Sequence, residues 1–139
     1  MSEGMDNRIH LEIITPDRIL VKDEVDSVAI PGSQGEFQVY AGHTPFLTDL
    51  AVGRVTFIKE GKRTTISISG GFCEVMPDTI LILARTAETP DMIDKNRAES
   101  ARDRAMGRIS SKAETKIDEA RARLALLRAL NRLEISKLI

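Results

Sequence analysis

Apolar residues along this chain recur with two different periods, and the change from one to the other divides it. Up to about residue 86 the period is two. Ile9, Leu11 and Ile13 alternate with His10 and Glu12, the pattern of a strand with one face on a core. Thr15-Pro16-Asp17 predicts a turn into Ile19-Leu20-Val21. Val25, Val28 and Ile30 run up to Pro31-Gly32, and Phe37 and Val39 form a further short strand before Gly42. Gly53 is expected to open Val55-Thr56-Phe57-Ile58, with Glu60-Gly61 as a hairpin turn into Thr64-Thr65-Ile66-Ser67-Ile68-Ser69. Gly70-Gly71 break that strand, Phe72 to Met76 resume it, and Pro77-Asp78 turn into Thr79 to Ala84, apolar on both faces. Short strands about every 8–12 residues with turns between predict a β-sandwich or a small barrel.

Past Glu88-Thr89-Pro90-Asp91 the period becomes helical. Thr89 is the expected N-cap, Pro90 fits the first helical position, and Asp91 and Asp94 put negative charge in the first turn. The first helix is expected to reach about Arg108, with Gly107 and Ser110-Ser111 reversing the chain. A second helix of about 25 residues, ~40 Å long, then follows. Its apolar seam is expected at Ala113, Ile117, Ala120, Leu124 and Leu127, widened by Leu126, Leu130 and Leu133, with Asn131 in the next slot. The first helix is thinner. Its large apolar residues are Met92, Ile93, Met106 and Ile109, and the rest of its inner face is Ala98, Ala101 and Ala105. Ordering a residue costs roughly 1–2 kcal/mol, so a hairpin this rich in alanine is expected to be marginal. The pattern predicts a stable β-domain carrying a conditionally docked helical arm.

Charge sharpens the division. Residues 1–90 hold 8 Lys and Arg against 13 Asp and Glu, a net −5, whereas residues 91–139 hold 12 against 8, a net +4. The arm therefore favours an anionic partner. Two arginine rows stack on helical faces, Arg97, Arg104 and Arg108 on the first helix and Arg121, Arg128 and Arg132 on the second. Two readings stay open. The rows are solvated faces, or in the folded hairpin Arg97 and Arg104 converge with Arg128 and Arg132 on one polyanion, for which guanidinium forks are suited.

Conventional catalytic sets are missing, so no enzymatic activity is expected. Two histidines, His10 and His43, and the single Cys73 supply neither a histidine cluster nor a cysteine zinc site, so no metal is expected. Gly61-Lys62-Arg63 lacks the earlier glycine of a phosphate-binding loop, and Ser69-Gly70-Gly71 is followed by no helix. The longest apolar run, from Ile80 to Ala84, is too short to insert in a membrane. No secretory signal is visible in residues 1–7. Residues 35–45 are read either as a pair of turns around one short strand or as a surface on which a charged residue, an aromatic residue and a histidine are available to a partner.

The residues Gly35-Glu36-Phe37, then Gly42-His43-Thr44-Pro45-Phe46-Leu47-Thr48, then Ser69-Gly70-Gly71-Phe72-Cys73-Glu74-Val75, followed by an alanine-rich helical hairpin, resemble the epsilon subunit of bacterial F-type ATP synthases. Gln38 and Ala41 stand where that family usually has Gly and Pro, so a different backbone is expected in that loop. The resemblance implies an α+β fold, an N-terminal antiparallel β-sandwich (residues 1–86) followed by a C-terminal two-helix antiparallel hairpin (residues 87–139). It implies a non-catalytic rotor subunit bound to the gamma subunit and the c-ring. Its place would be peripheral, on the cytoplasmic face of the bacterial inner membrane. The arm would lie folded, or extend into the alpha/beta head and block ATP hydrolysis. Some members bind a regulatory ATP through an Ile/Leu-Asp-x-x-Arg-Ala motif, here Ile93-Asp94-Lys95-Asn96-Arg97-Ala98. No cofactor is required. By this resemblance Asp94 and Glu88 hydrogen-bond the adenine and ribose side, Arg97, Arg104, Arg128 and Arg132 take phosphate, and Glu36 and His43 face the c-ring. The competing reading is a free-standing adaptor that binds nucleic acid or a transcription complex. The acidic sandwich and the small basic excess of the arm argue against nucleic acid.

Overall fold

The computed structural model describes residues 7–110 and 115–138. The chain forms two compact units, Met1–Ala87 and Glu88–Ile139.

In the first unit the alternating segments become β1 (Ile9–Ile14), β2 (Ile19–Val25), β3 (Ser27–Gly32), β4 (Gly35–Tyr40), β5 (Phe46–Lys59), β6 (Lys62–Val75) and β7 (Thr79–Ala84); the two-residue β8 (Ala87–Glu88) falls at the boundary of the two units. The sheet runs β2-β1-β7-β6-β5-β3-β4, with β8 against β6 off this path. β1 shows the period-two rule: Ile9, Leu11 and Ile13 are fully buried while His10, Glu12 and Ile14 are half-buried on the other face. They join Val25, Val28, Ile30, Val39, Val55, Ile66, Ile68, Val75, Ile80 and Ile82 in one core. Each such side chain contributes about 1.5–3 kcal/mol on burial.

Two expectations are corrected here. Gly53 and Gly70-Gly71 were to divide short strands, yet β5 and β6 are continuous 14-residue strands that pass through them. The glycines bend the ladder instead of ending it. Gly70 and Gly71 have φ of +103° and +143°, a region L side chains avoid, and a Cβ on Gly71 would lie 2.0 Å from the Leu83 carbonyl oxygen. The bend lets one hairpin serve both layers of the sandwich. β7 pairs the far end of β6, from Gly71–Ala84 to Val75–Ile80. β3 pairs the opposite end of β5, from Ser27–Ile58 to Ala29–Thr56, and after a register shift Gly32 meets Leu50. The hairpin closes as expected at Glu60-Gly61, both with positive φ (51° and 77°), the geometry of a tight hairpin turn. The second correction is that the sheet is not wholly antiparallel. β1 and β7 run parallel, from His10–Thr79 to Ile14–Leu83. A parallel neighbour needs a long crossover, and strands β2 to β6 provide it.

The second unit holds a 3-10 turn (Pro90–Met92) and helices α1 (Lys95–Ser110) and α2 (Lys116–Ser136). The first helix does not start at Thr89-Pro90. Thr89 makes no side-chain cap bond, Ile93 is extended (ψ 123°), and α1 begins only after Asp94. Asp94 is the true cap: its Oδ1 accepts the Arg97 amide at 3.1 Å and its carbonyl accepts the Ala98 amide at 3.0 Å. Gly107 lies inside α1 and does not reverse the chain. Ser111 and Ala113, assigned to the reversal and the seam, fall outside the described residues. Thr115 caps α2, its Oγ1 accepting the Asp118 amide at 3.0 Å.

The expected seam of α2 is also corrected. Ile117, Leu124 and Leu127 are 65%, 43% and 50% exposed. The buried row is instead Ala122, Ala129 and Ser136, with half-buried Leu126 between the first two and half-buried Leu133 between the last two. Opposite it, α1 turns inward Ala98 and Ala105, both buried, and half-buried Ala101. Both rows keep helical spacing, but alanine lets two backbones approach closely where leucine would hold them apart. The leucines are left facing out.

Candidate functional site

The residues expected to hold a nucleotide all belong to the second unit, and their positions divide by role. Ile93 is buried (8% exposed) and Ala98 fully so, so the two apolar ends of the Ile93-to-Ala98 motif pack the hairpin. The Asp94 carboxylate accepts one free amide at the start of α1, that of Arg97. Arg97 and Arg104 are exposed and Arg128 is half-buried. None of these three guanidinium groups is engaged by another described residue. Lys95 and Lys137, with Ile93 and Ser136, line a shallow pocket of about 370 Å³ where α1 begins and α2 ends. Of the expected nucleotide residues, only Ile93 borders it.

Glu88 and Arg132 are brought together directly. The Arg132 Nε donates to Glu88 Oε1 at 2.7 Å and its Nη2 donates to Glu88 Oε2 at 3.0 Å. This parallel fork is the strongest geometry available to a guanidinium and a carboxylate. The side chains are 28% and 24% exposed. Both residues had been assigned to ATP, one to each side of the ligand; here each is the other's partner. Forty-four residues separate them, so no local spacing signals the pair.

On the first unit, Glu36 is exposed on β4 opposite Pro31. His43, half-buried in the loop after β4, donates from Nδ1 to the Thr44 carbonyl at 2.8 Å. Its ring lies 5.2 Å from Phe46, which in turn meets Phe37 edge-on at 5.1 Å. Gly42, with φ +84°, donates its amide to the Pro77 carbonyl at 2.7 Å and pins that loop. Among the described residues no contact joins Glu36 to His43.

Two features escaped the sequence reading. The outward residues of β5, β6 and β7 include Leu47, Phe72 and Leu83, which are 71%, 60% and 48% exposed. Phe72 and Leu83 stand directly opposite each other. An apolar sheet face of this kind marks a protein contact. The signal was available in strand parity, since buried Cys73 and Val75 force Phe72 outward. The other feature is His10. Its Nδ1 pairs with Glu24 on the neighbouring strand, and its Nε2 is 2.9 Å from Glu12. The Glu24 contact first, then Glu12, raises its pKa above 6.5. Cys73, the one thiol, is buried, and burial pushes its pKa up to about 12, so it is not a nucleophile. Among the described residues no cluster of His, Cys, Asp or Glu is arranged to hold a metal, and no helix is long and apolar enough to cross a membrane.

A sandwich followed by a thin helical hairpin, with an exposed apolar sheet face and a basic arm, is the build of a subunit of a larger assembly. Residues 8–90 match the family described as ATP synthase, Delta/Epsilon chain, beta-sandwich domain, and residues 91–137 match its long alpha-helix domain. The chain belongs to this family of ATP synthase delta/epsilon subunits. It is similar to proteins named ATP synthase epsilon chain. One from Nitratidesulfovibrio vulgaris is 44% identical over 131 residues, covering 94% of this chain and 97% of the relative. Another from Shouchella clausii is 40% identical over 129 residues, covering 93% and 95%. The fold is also similar to a chain in the mitochondrial ATP synthase of Euglena gracilis (OSCP/F1/c-ring), with TM-score 0.81, 23% identity, and 100% and 86% coverage.

Proposed function

We propose that this chain is the epsilon subunit of the central stalk of a bacterial F-type ATP synthase, a rotor component whose helical unit restrains ATP hydrolysis. The observation that carries the proposal is the pair of adjacent family matches, sandwich then long helices, spanning residues 8–137. The sandwich joins the gamma subunit and the c-ring. Its apolar residues Leu47, Phe72 and Leu83 belong to the surface that a lasting protein contact would cover, and Glu36 and His43 face the c-ring. The complex lies peripherally on the cytoplasmic face of the inner membrane.

The helical unit supports the inhibitory role in two ways. It buries mainly alanine between its helices, so little free energy opposes its rearrangement. It also presents Arg97, Arg104 and Arg128, which have no carboxylate partner among the described residues, to an acidic surface of the alpha/beta head or to the phosphates of a regulatory ATP. A two-state element with a small gap is what a ligand can bias. The test is reconstitution of the complex with the full chain and with residues 1–87 alone. Both should be retained on gamma, and the shortened chain should raise ATPase activity severalfold. Failure of either chain to bind gamma would end the stalk assignment, and equal activities would end the inhibitory one.

A further inference from the structure

The open end of the helical hairpin is closed by something other than apolar packing. At its other end the two helices are joined by the chain itself. Here α1 begins and α2 ends, and the buried apolar groups are few: Ile93 from the extended residue before α1, and Ile135 in the last turn of α2. The 3-10 turn packs against α2. Across this end runs the Glu88–Arg132 fork, between the residue where the unit begins and a residue one turn before buried Ser136. Both groups are mostly out of solvent, so loss of either leaves a partly buried charge unpaired, which costs more than the pair contributes.

We propose that Glu88 and Arg132 form a latch that holds the hairpin closed at its open end and keeps Arg132 from any phosphate. The latch follows from the geometry alone; the competition with phosphate rests on the nucleotide reading above. The argument for competition is one of shared atoms. A phosphate recognised in a forked manner needs the same Nε and Nη2 hydrogens that Glu88 now holds. Among the described residues Arg97 and Arg128 hold no such carboxylate, so a nucleotide that reaches them gains Arg132 only by displacing Glu88.

The experiment uses the full chain and the variants Glu88→Gln, Arg132→Gln, both together, and the exchanged pair Glu88→Arg with Arg132→Glu. Amide hydrogen exchange is followed at residues 90–93 and 129–136. Each single variant should speed exchange there by roughly five- to tenfold, as for loss of a charge-assisted pair. The double variant should add little, and the exchanged pair should recover most of the protection. Unchanged exchange, or effects that simply add, would overturn the latch. Titration with ATP then decides the competition. Glu88→Gln should bind ATP about threefold or more tighter, because the guanidinium no longer has to be won from a carboxylate. Weaker binding would overturn the competition and make Glu88 a nucleotide ligand. Failure of every variant to bind ATP would remove the nucleotide reading and the competition with it, and the exchange result alone would decide the latch.

Discussion

The two units answer the problem of burying apolar surface in opposite ways. The sandwich fills its interior with branched side chains, among them Ile9, Leu11, Ile13, Ile66, Ile68, Ile80 and Ile82, none more than 1% exposed. The hairpin fills its own interior with Ala98, Ala105, Ala122 and Ala129 and leaves Ile117, Leu124, Leu127 and Leu130 to solvent. Alanine gives up little side-chain entropy on folding but buries little area. The first unit is therefore built to stay as it is, and the second to be held by a few contacts that can be exchanged. The outward leucines contribute little to the hairpin and are available to a second surface.

The contrast can be broken most forcefully in the sandwich. Leu11→Ala should destabilise the first unit by about 2–5 kcal/mol, seen as a lowered urea midpoint for the strand signal, while the helical signal of the arm follows only indirectly. A cost below 1 kcal/mol would mean that the core collapses to fill the space and is less rigidly packed than its burial suggests.

A smaller effect separates the two faces of α2. Ala122→Leu forces bulk into the close approach and should cost about 1–3 kcal/mol, read as lost helical ellipticity with the sandwich intact. Leu127→Ala, on the outward face, should change the stability of the isolated chain by no more than about 0.5 kcal/mol, yet weaken inhibition in the assembled complex. If Leu127→Ala instead unfolded the hairpin, the outward face would be the packed one and the assignment of faces would be reversed.

The smallest effect concerns pH. His10 has a folded-state pKa raised above 6.5, by Glu24 first and Glu12 second. A raised folded pKa means that its stabilisation is fully present below 6.5 and is lost as pH rises through the folded value. Glu12 also faces Lys22 across the β1–β2 ladder, and His10 faces Thr79 on β7. Because the groups are partly exposed, the contribution should stay under about 1 kcal/mol. Thermal unfolding of the wild type and of His10→Gln should differ most on the acid side of 6.5 and converge in alkaline buffer. A gap that widens with pH would contradict the sign.

Much of the sandwich was legible because strand parity is written in adjacent residues. Ile9, Leu11 and Ile13 needed no partner to be assigned inward. The continuity of β5 and β6 was not legible, because glycine in a sequence does not say whether the chain stops or bends; only the packing of Gly71 against the Leu83 carbonyl decides it. The helical seam misled for an energetic reason. Large apolar residues are the default signal of a buried face, and here alanine holds that face. The cap was placed at Thr89 although Asp94, three residues before Arg97, satisfied the same rule. At the candidate site, the arginines that remain without carboxylates were found by spacing. The one arginine tied down, Arg132, could not be recognised as such, since its partner lies in another part of the sequence.

The bend at Gly70-Gly71 has a mechanical consequence. Because β5 and β6 pass through both layers, the layers are joined by peptide bonds and a hydrogen-bonded ladder as well as by side-chain contact. Twisting one layer against the other strains covalent backbone, which yields far less than a sliding apolar interface. Relative movement of the two ends of this ribbon is thus resisted along the backbone itself, and Gly70 and Gly71 let the strand continue where an L side chain would be strained.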